Sequence, residues 1–268
     1  MFQTKIKKGT KMAIVISFAN QKGGVGKTTT AINIGTSLAA TKKRVLLIDL
    51  DPQGNAGTGL GFVRAKYQQS VYGVIMGLAN ISDNILSTEI PNMHLLPSSL
   101  ALSSAEVDLL DMDNREYRLR DALKSVYDYY DYILIDCPPA LGYLTLNALN
   151  ASDYVIIPLQ PEFFALEGIR QLVNTITEVQ KKWNERLQIL GVLLTMYDKR
   201  YGQTREVEDD VRKTFTDTVF KTVIPRNVRV SEAPSHGKPA LFYDFNSAGA
   251  QAYLRVATEI ITKIETKE

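Results

Sequence analysis

The chain has 268 residues, of which 45% are hydrophobic and 22% are charged, and its formal net charge is +2. This is the composition of an ordinary globular protein, and so small a net charge argues against a polybasic, histone-like molecule. The longest apolar runs fall well short of the roughly 20 residues of a membrane-spanning helix, and the single cysteine, Cys137, favours a reducing cytoplasm.

The chain begins with MFQTKIKKGTK, which is basic and precedes a short β-like run. It has no long apolar segment and no cleavage site of small residues, so residues 1–11 are interpreted as a flexible basic tail, with Met12 a second candidate for the native start. Residues 12–268 contain no repeat, low-complexity tract or long linker. They are expected to form one domain.

Short apolar runs rich in β-branched residues alternate with helical patterns along the chain. The predicted strands are residues 13–18, 44–50, 132–136, 154–159, 189–195 and 219–224. The predicted helices are residues 28–40, 118–127, 167–182 and 253–264. Because the strands are apolar throughout and do not alternate, both of their faces should be buried in a parallel sheet covered by helices. The expected fold is a doubly wound α/β domain.

The stretch NQKGGVGKTTT, residues 20–30, lies between the first strand and the first helix. It departs from the phosphate-binding pattern G-x-x-x-x-G-K-[ST] because Gln21 replaces the first glycine and a second lysine, Lys22, follows. Small residues at this point let consecutive backbone N–H groups face phosphate oxygens, assisted by the helix dipole. The order of strand, loop and helix predicts the P-loop NTPase fold.

Most residues of this loop have a defined task in nucleotide binding. Gly23, Gly24 and Gly26 permit its tight curvature. Lys27 would reach the β- and γ-phosphates, and the hydroxyl of Thr28 would ligate Mg²⁺. The predicted nucleotide contacts in the loop are Gln21, Lys22, Gly23, Gly24, Val25, Gly26, Lys27, Thr28 and Thr29.

Lys22 has no task in the general pattern. From the mouth of the loop it cannot easily reach phosphates held by its own chain, so it makes physical sense if it points at a nucleotide held by a second copy. It would then neutralise transition-state charge in trans, as an arginine finger does. The alternative is a solvated lysine on a turn.

Acidic residues end two of the predicted strands. Asp49 and Asp51, in LIDLDPQ, lie at the carboxyl end of the second strand, where ligands collect in doubly wound folds. Pro52 stops that strand and Gly54 loosens the segment after it, as a nucleotide-sensing switch requires. Asp136 ends the strand YILID, and a carboxylate after four apolar residues needs a partner. Turn capping is the alternative for Asp49 and Asp51.

Basic residues are concentrated between positions 199 and 238, where nine Lys or Arg stand against six Asp or Glu. The local excess is larger than that of the whole chain. A few aligned cations are enough for sequence-independent contact with DNA phosphates. Solvated surface charge is the alternative.

Four blocks together resemble one protein family. KGGVGKT at 22–28, VLLIDLDPQGN at 45–55, DYILIDCPP at 131–139 and VIPRNVRVSEAPSHGKP at 223–239 are similar to the ParA/Soj partitioning ATPases of the ParA/MinD class, in the same order and over nearly the whole chain. The resemblance implies Mg²⁺-dependent hydrolysis of ATP to ADP and phosphate. It also implies a sandwich homodimer, formed on ATP binding, in which Lys22 crosses the interface.

The resemblance also assigns roles to individual residues. Asp51 becomes the switch residue that orients the attacking water, Asp49 a structural residue, and Asp136 a holder of Mg²⁺ through water. The implied catalytic residues are Lys22, Lys27 and Asp51; the implied metal residues are Thr28, Asp51 and Asp136. The implied adenine pocket is Met196, Pro225 and Asn227, and the implied DNA contacts are Lys199, Arg200, Arg226, Arg229 and Lys238.

The implied function is segregation of chromosomal or plasmid DNA by a cytoplasmic, nucleoid-associated ATPase. The ATP-bound dimer would bind double-stranded DNA non-specifically, and a ParB/Spo0J-like centromere-binding partner would stimulate hydrolysis. A MinD-like membrane-associated ATPase is the alternative, but the last helix, AYLRVATEIITKIETKE, lacks Trp and Phe, carries mixed charges and is better suited to packing on the domain. An iron–sulfur reductase would need more cysteines, and an amidoligase would need a further domain.

Overall fold

The computed structural model describes residues 12–162 and 165–266, so the proposed tail, residues 1–11, lies outside the described residues. One seven-stranded sheet organises the chain. Its strands are β1 (Ile14–Phe18), β2 (Val45–Asp49), β3 (Leu86–Ser87), β4 (Met93–Leu96), β5 (Tyr132–Asp136), β6 (Tyr154–Leu159) and β7 (Gln188–Leu194). Their spatial order is β3-β4-β2-β5-β1-β6-β7, and only the β3/β4 pair is antiparallel. The predicted doubly wound, mostly parallel sheet is confirmed.

Helices cover both faces of the sheet. They are α1 (Lys27–Ala40), α2 (Asn55–Gly59), α3 (Val71–Ile75), α4 (Ile81–Asn84), α5 (Ala105–Asp108), α6 (Arg118–Leu123), α7 (Tyr143–Ala151), α8 (Ala165–Lys182), α9 (Gly202–Phe215), α10 (Val228–Glu232), α11 (Ala240–Tyr243) and α12 (Ala248–Glu265). The expected helices 28–40 and 167–182 are observed nearly as predicted. The helix predicted at 118–127 ends at Leu123, and α12 begins five residues early because the Ser247 side chain accepts from the Ala250 N–H.

The core has two layers, one on each face of the sheet. Alternate side chains of β1 divide between them: Val15 faces one layer, and Ile16 and Phe18 face the other. Helices α6, α7 and α8 cover the Val15 side, while α1 and α12 cover the opposite side. The apolar stripe of α12 is buried there, as predicted. In the part of the chain that the structure describes, no helix is both long and apolar enough to cross a membrane.

The prediction of a strand at residues 219–224 is wrong. Val219 makes an isolated bridge to Val192, and the N–H groups of Phe220 and Ile224 donate to the Val192 and Leu194 carbonyls of β7, but the peptide groups between them do not continue the pairing. The N–H groups of Lys221 and Thr222 donate to the Glu259 carboxylate of α12 at 2.8 and 3.2 Å. These two donors are therefore unavailable to a continuous ladder along β7.

Two strands, β3 and β4, were not predicted. Neither Leu86–Ser87 nor Met93–Leu96 contains a β-branched residue, and β-branched residues are the composition that predicts a strand. β4 nevertheless pairs in parallel with β2, Val45 opposite Met93 and Ile48 opposite Leu96. Its place in the sheet follows from tertiary packing more than from local propensity.

Candidate nucleotide-binding site

The phosphate loop lies between β1 and α1, at the carboxyl edge of the sheet. Gly24 and Gly26 have φ of +75° and +85°, in the left-handed region where a side chain would be strained. Gly26 is the N-cap residue of α1 and has no side chain, so the first turn of the helix is presented without a side-chain cap. This combination of exposed N–H donors and helix dipole suits a phosphate.

Lys27, the first residue of α1, is buried, with 7% of its surface exposed. Its ammonium group donates to the Lys22 carbonyl oxygen at 3.2 Å, which places it across the loop. Burial lowers the pKa of Lys27, while the nearby charges of Asp136 and Asp51 act in the opposite direction. The structure thus brings Lys27, Asp51 and Asp136 to one site.

Asp136 is completely buried at the end of β5, directly beside Asp49 of β2. Neither of its carboxylate oxygens has a hydrogen-bond partner among the described residues. Burial raises the pKa of Asp136 well above its usual range, and the charge of Asp49 raises it further; the Thr28 hydroxyl and Lys27 oppose this rise. A buried carboxylate without a partner costs free energy, and Mg²⁺ prefers oxygen ligands. Asp136 and Thr28 therefore fit a bound Mg²⁺.

Asp49 has a different role from its neighbours. Its carboxylate accepts the N–H groups of Asp51 at 3.2 Å, Ala56 at 3.0 Å and Gly57 at 3.2 Å. Burial raises the pKa of Asp49 to about 7, although these N–H donors favour its ionised form. Through these hydrogen bonds, Asp49 connects the turn that contains Asp51 with the start of α2.

Asp51 stands on that turn and is partly exposed. Its carboxylate accepts the Gln53 N–H at 2.9 Å, and the Asp51 carbonyl accepts the Gly54 N–H at 2.9 Å. Gly54 has a φ of +66° and precedes α2 as its N-cap residue. The turn after Asp51 is therefore tight and well hydrogen-bonded in this structure.

Lys22 is held at the rim of the site by two residues that sequence reasoning missed. The buried Asn20 side chain accepts the Lys22 N–H at 3.0 Å and donates to the Pro158 carbonyl at 2.7 Å. The Lys22 ammonium forms an ion pair with Glu162, and the two side chains are 43% and 47% exposed. Asn20 stood in the quoted motif, but Glu162 lies 140 residues away, and no local signal could have identified it.

The two predicted adenine-contacting segments lie side by side. Tyr197 N–H donates to the Ile224 carbonyl and Arg226 N–H to the Tyr197 carbonyl, which brings Met196 close to Pro225. The methyl end of Met196 lies 3.7 Å from the position that a Cβ on Gly26 would occupy, so this side chain packs against the phosphate loop. The Asn227 side-chain oxygen accepts the Val230 N–H at 3.3 Å.

The predicted DNA contacts are all exposed or partly exposed, and the two main arginines are paired with carboxylates. Arg200 contacts Asp198, with Nε 2.8 Å from Oδ1, and Arg229 contacts Glu232 and Asp244 at 3.2 and 3.4 Å. Arg200 also lines an open cleft with Met196, Glu162 and Arg226. The remaining predicted contacts, Lys199 and Lys238, follow β7 and α10 respectively.

Known proteins share both the sequence and the fold. A family model described as an AAA domain matches residues 13–189. The chromosome partitioning protein ParA of Caulobacter vibrioides (strain NA1000 / CB15N) is 55% identical over 251 residues, 93% of this chain and 94% of that protein. The sporulation initiation inhibitor protein Soj of Bacillus subtilis (strain 168) is 53% identical over 249 residues, 93% and 98% of the two chains. The chain belongs to the ParA/Soj family of chromosome-partitioning ATPases.

A solved structure extends the likeness to a site with a bound nucleotide. It is that of cobyrinic acid a,c-diamide synthase from Mycobacterium smegmatis with bound ADP and magnesium, which is 39% identical. It covers 96% of this chain and 97% of its own, with a TM-score of 0.85. The predicted ParA/Soj family, P-loop fold and ATPase activity are confirmed.

Proposed function

We propose that this ParA/Soj-family ATPase segregates DNA as an ATP-bound homodimer whose active sites are each completed by Lys22 of the other copy. The observation that carries the proposal is the division between two lysines of one loop. Lys27 is buried beside the acidic residues, whereas Lys22 is exposed at the rim and bonded to Glu162. A second cation placed outward suits a nucleotide held by another chain.

Within one site, each residue of this chain has a task in binding ATP or positioning water. Backbone N–H groups of residues 21–29 and the Lys27 ammonium would bind the phosphates. Thr28 and Asp136 would hold Mg²⁺, with Asp51 close to it; when bound, this ion neutralises charge on the β- and γ-phosphate oxygens. Asp51 would orient the attacking water in line with the γ-phosphate. Met196, Pro225 and Asn227 would enclose the adenine.

Generic double-stranded DNA is the proposed partner of the basic surface formed by Lys199, Arg200, Arg226, Arg229 and Lys238. All five residues are at least partly exposed, and binding to phosphates would require Arg200 and Arg229 to exchange their present carboxylate partners. Exposed ion pairs contribute only about 0.2–1 kcal/mol, so this exchange is inexpensive. Binding should weaken steeply with salt. A ParB/Spo0J-like protein would then stimulate hydrolysis in the cytoplasm, on the nucleoid.

Two other functions fit the structure less well. A MinD-like ATPase would use its last helix at a membrane, but the apolar face of α12 is buried against the sheet and α1. An amide synthase that draws nitrogen from an amide donor by thiolate chemistry would need a reactive cysteine. Cys137 is the only cysteine, it is buried, and burial raises the pKa of its thiol.

The experiment that tests the function measures ATP hydrolysis and DNA binding by wild type, Arg200→Glu and Arg229→Glu. We expect DNA binding to require ATP and both charge reversals to weaken it by at least about tenfold, because each replaces a phosphate-binding cation with an anion. Lys124→Glu, just after the end of α6, is the matched control. DNA binding that ignores ATP, or that both reversals leave unchanged, would remove the main support for segregation.

A further inference from the structure

The turn after Asp51 also contacts the side chain of Arg64. Arg64 lies in the short 3₁₀ helix Arg64–Lys66, and one of its guanidinium nitrogens donates to the carbonyl oxygens of Pro52 at 3.1 Å and Gln53 at 2.6 Å. The same nitrogen would lie 1.9 Å from a Cβ built on Gly54. The guanidinium is therefore packed directly on the backbone of the turn, and only glycine leaves it room.

This contact complements the one made by Asp49. The Asp49 carboxylate binds N–H groups on the inner side of residues 51–57, whereas Arg64 binds two carbonyl groups of the same turn from its outer, partly exposed side. The N–H groups of the turn are thus hydrogen-bonded to Asp49 on one side, and its carbonyl groups to Arg64 on the other. Asp51 immediately precedes the two residues whose carbonyl groups Arg64 binds, so removing Arg64 takes away two hydrogen bonds from the turn that carries the Asp51 carboxylate.

Residues 60–67, which include Arg64, form a short connecting segment that we call the strap. The strap is held in place by contacts with neighbouring segments. Phe62 N–H donates to the Gly57 carbonyl at 3.0 Å, and the Phe62 ring packs edge-on against Tyr67 with centroids 6.2 Å apart. Gly61 lies in close contact with Gly237, where a Cβ on either residue would come within 3.1 Å of the other's backbone. The strap therefore holds Arg64 against the turn while connecting it to the segment that follows α10.

We propose that Arg64 is a positioning residue for hydrolysis, which acts by holding the turn after Asp51 so that the Asp51 carboxylate points at the attacking water. It contacts neither nucleotide nor water in this role. The inference rests on the proposed function of Asp51 as the residue that orients water. In-line placement dominates phosphoryl transfer, and a misplacement of about 1 Å can cost on the order of a hundredfold in rate, so a contact this close to Asp51 bears on kcat.

The test compares Arg64→Ala and Arg64→Lys with wild type, Asp51→Ala and Arg118→Ala, using full-length protein, saturating Mg-ATP and identical DNA. Arg118→Ala is the matched control, because Arg118 also donates to a backbone carbonyl, that of Ile75 at 2.9 Å, away from the turn. We expect Arg64→Ala to lower kcat about tenfold while the Kd for ATP stays within about twofold. Because a single nitrogen makes both contacts, Arg64→Lys should recover most of the loss.

The outcomes separate this inference from the function on which it rests. If Arg64→Ala turns over normally while Asp51→Ala is inactive, Arg64 is not a positioning residue and the role of Asp51 stands. If Asp51→Ala turns over normally, the assignment of Asp51 falls and the inference falls with it. Equal losses in Arg64→Ala and Arg118→Ala, or a rise in Kd that accounts for the loss of Arg64→Ala, would show a merely structural effect and overturn the proposal.

Discussion

Asp136 illustrates at the level of a single residue how a functional site departs from the rules for a stable core. Its carboxylate is fully buried without a hydrogen-bond partner among the residues described here, and burial raises its pKa. The folded protein therefore retains a proton that the unfolded chain releases above about pH 4. As the pH rises from about 4 toward the raised pKa of folded Asp136, the free energy of unfolding therefore decreases. The proposed role of Asp136 in holding Mg²⁺ would explain such a group, since folding alone would favour a neutral side chain.

The stability consequence can be measured with Asp136→Asn. In the absence of nucleotide we expect this change to stabilise the fold by about 1–3 kcal/mol near neutral pH, because it removes the cost of keeping a buried carboxyl group protonated where the unfolded chain ionises it. Thermal unfolding with and without Mg-ADP checks the prediction. The variant should also lose most of the stabilisation that Mg-ADP gives the wild type. A lower melting temperature without ligand, or undiminished stabilisation by Mg-ADP, would contradict the metal assignment.

Glu162 is the residue that competes for Lys22. In the proposed dimer, the ion pair between Glu162 and Lys22 would have to break before Lys22 crosses to the second copy. An exposed pair contributes about 0.2–1 kcal/mol, so Glu162→Gln should strengthen ATP-dependent dimerisation by roughly two- to thirtyfold, since two such pairs break per dimer. Light scattering across a protein concentration series measures this. Glu178→Gln, which breaks the exposed pair with Lys182, is the control, and equal dimerisation constants for both variants would refute the prediction.

At the level of elements, the sequence predicts what depends on local pattern and misses what depends on distant contacts. The continuous apolar runs identified β1, β2, β5, β6 and β7, because buried parallel strands have that composition. Residues 219–224 share the composition, yet Glu259, on a helix more than thirty residues later, takes two of their donors. Likewise the loop glycines and the acidic residues were evident, whereas Glu162 and Arg64 reach the site from elsewhere in the chain.

The link between α12 and this segment yields a prediction at the same scale. Glu259→Ala removes a charged acceptor from the N–H groups of Lys221 and Thr222, and should lower the free energy of unfolding by about 1–3 kcal/mol. The freed segment leads directly to Pro225, so ATP affinity should also fall. Urea unfolding and equilibrium ATP binding test both effects. Glu265→Ala, at the exposed end of the same helix, should change neither.

In the assembled molecule, two copies of the chain are proposed to build each active site. One copy supplies Lys27, Thr28, Asp51 and Asp136, which the fold collects at the carboxyl ends of neighbouring parallel strands. The other copy is proposed to supply Lys22. In this proposal, the departure from the ordinary phosphate-loop pattern would serve dimerisation and would couple ATP hydrolysis to assembly on DNA.

The most direct test of this claim is to mix two inactive variants, Lys22→Ala and Asp51→Ala, and to measure ATP hydrolysis by the mixture. In a mixed dimer, the Lys22→Ala chain keeps its own Asp51 and receives Lys22 from its partner, so one of the two sites is complete. Equal mixing makes about half of the dimers mixed, and we expect activity to return to about a quarter of the wild-type rate. A mixture as inactive as the separate variants would show that Lys22 acts within its own chain and would contradict the proposed shared active site.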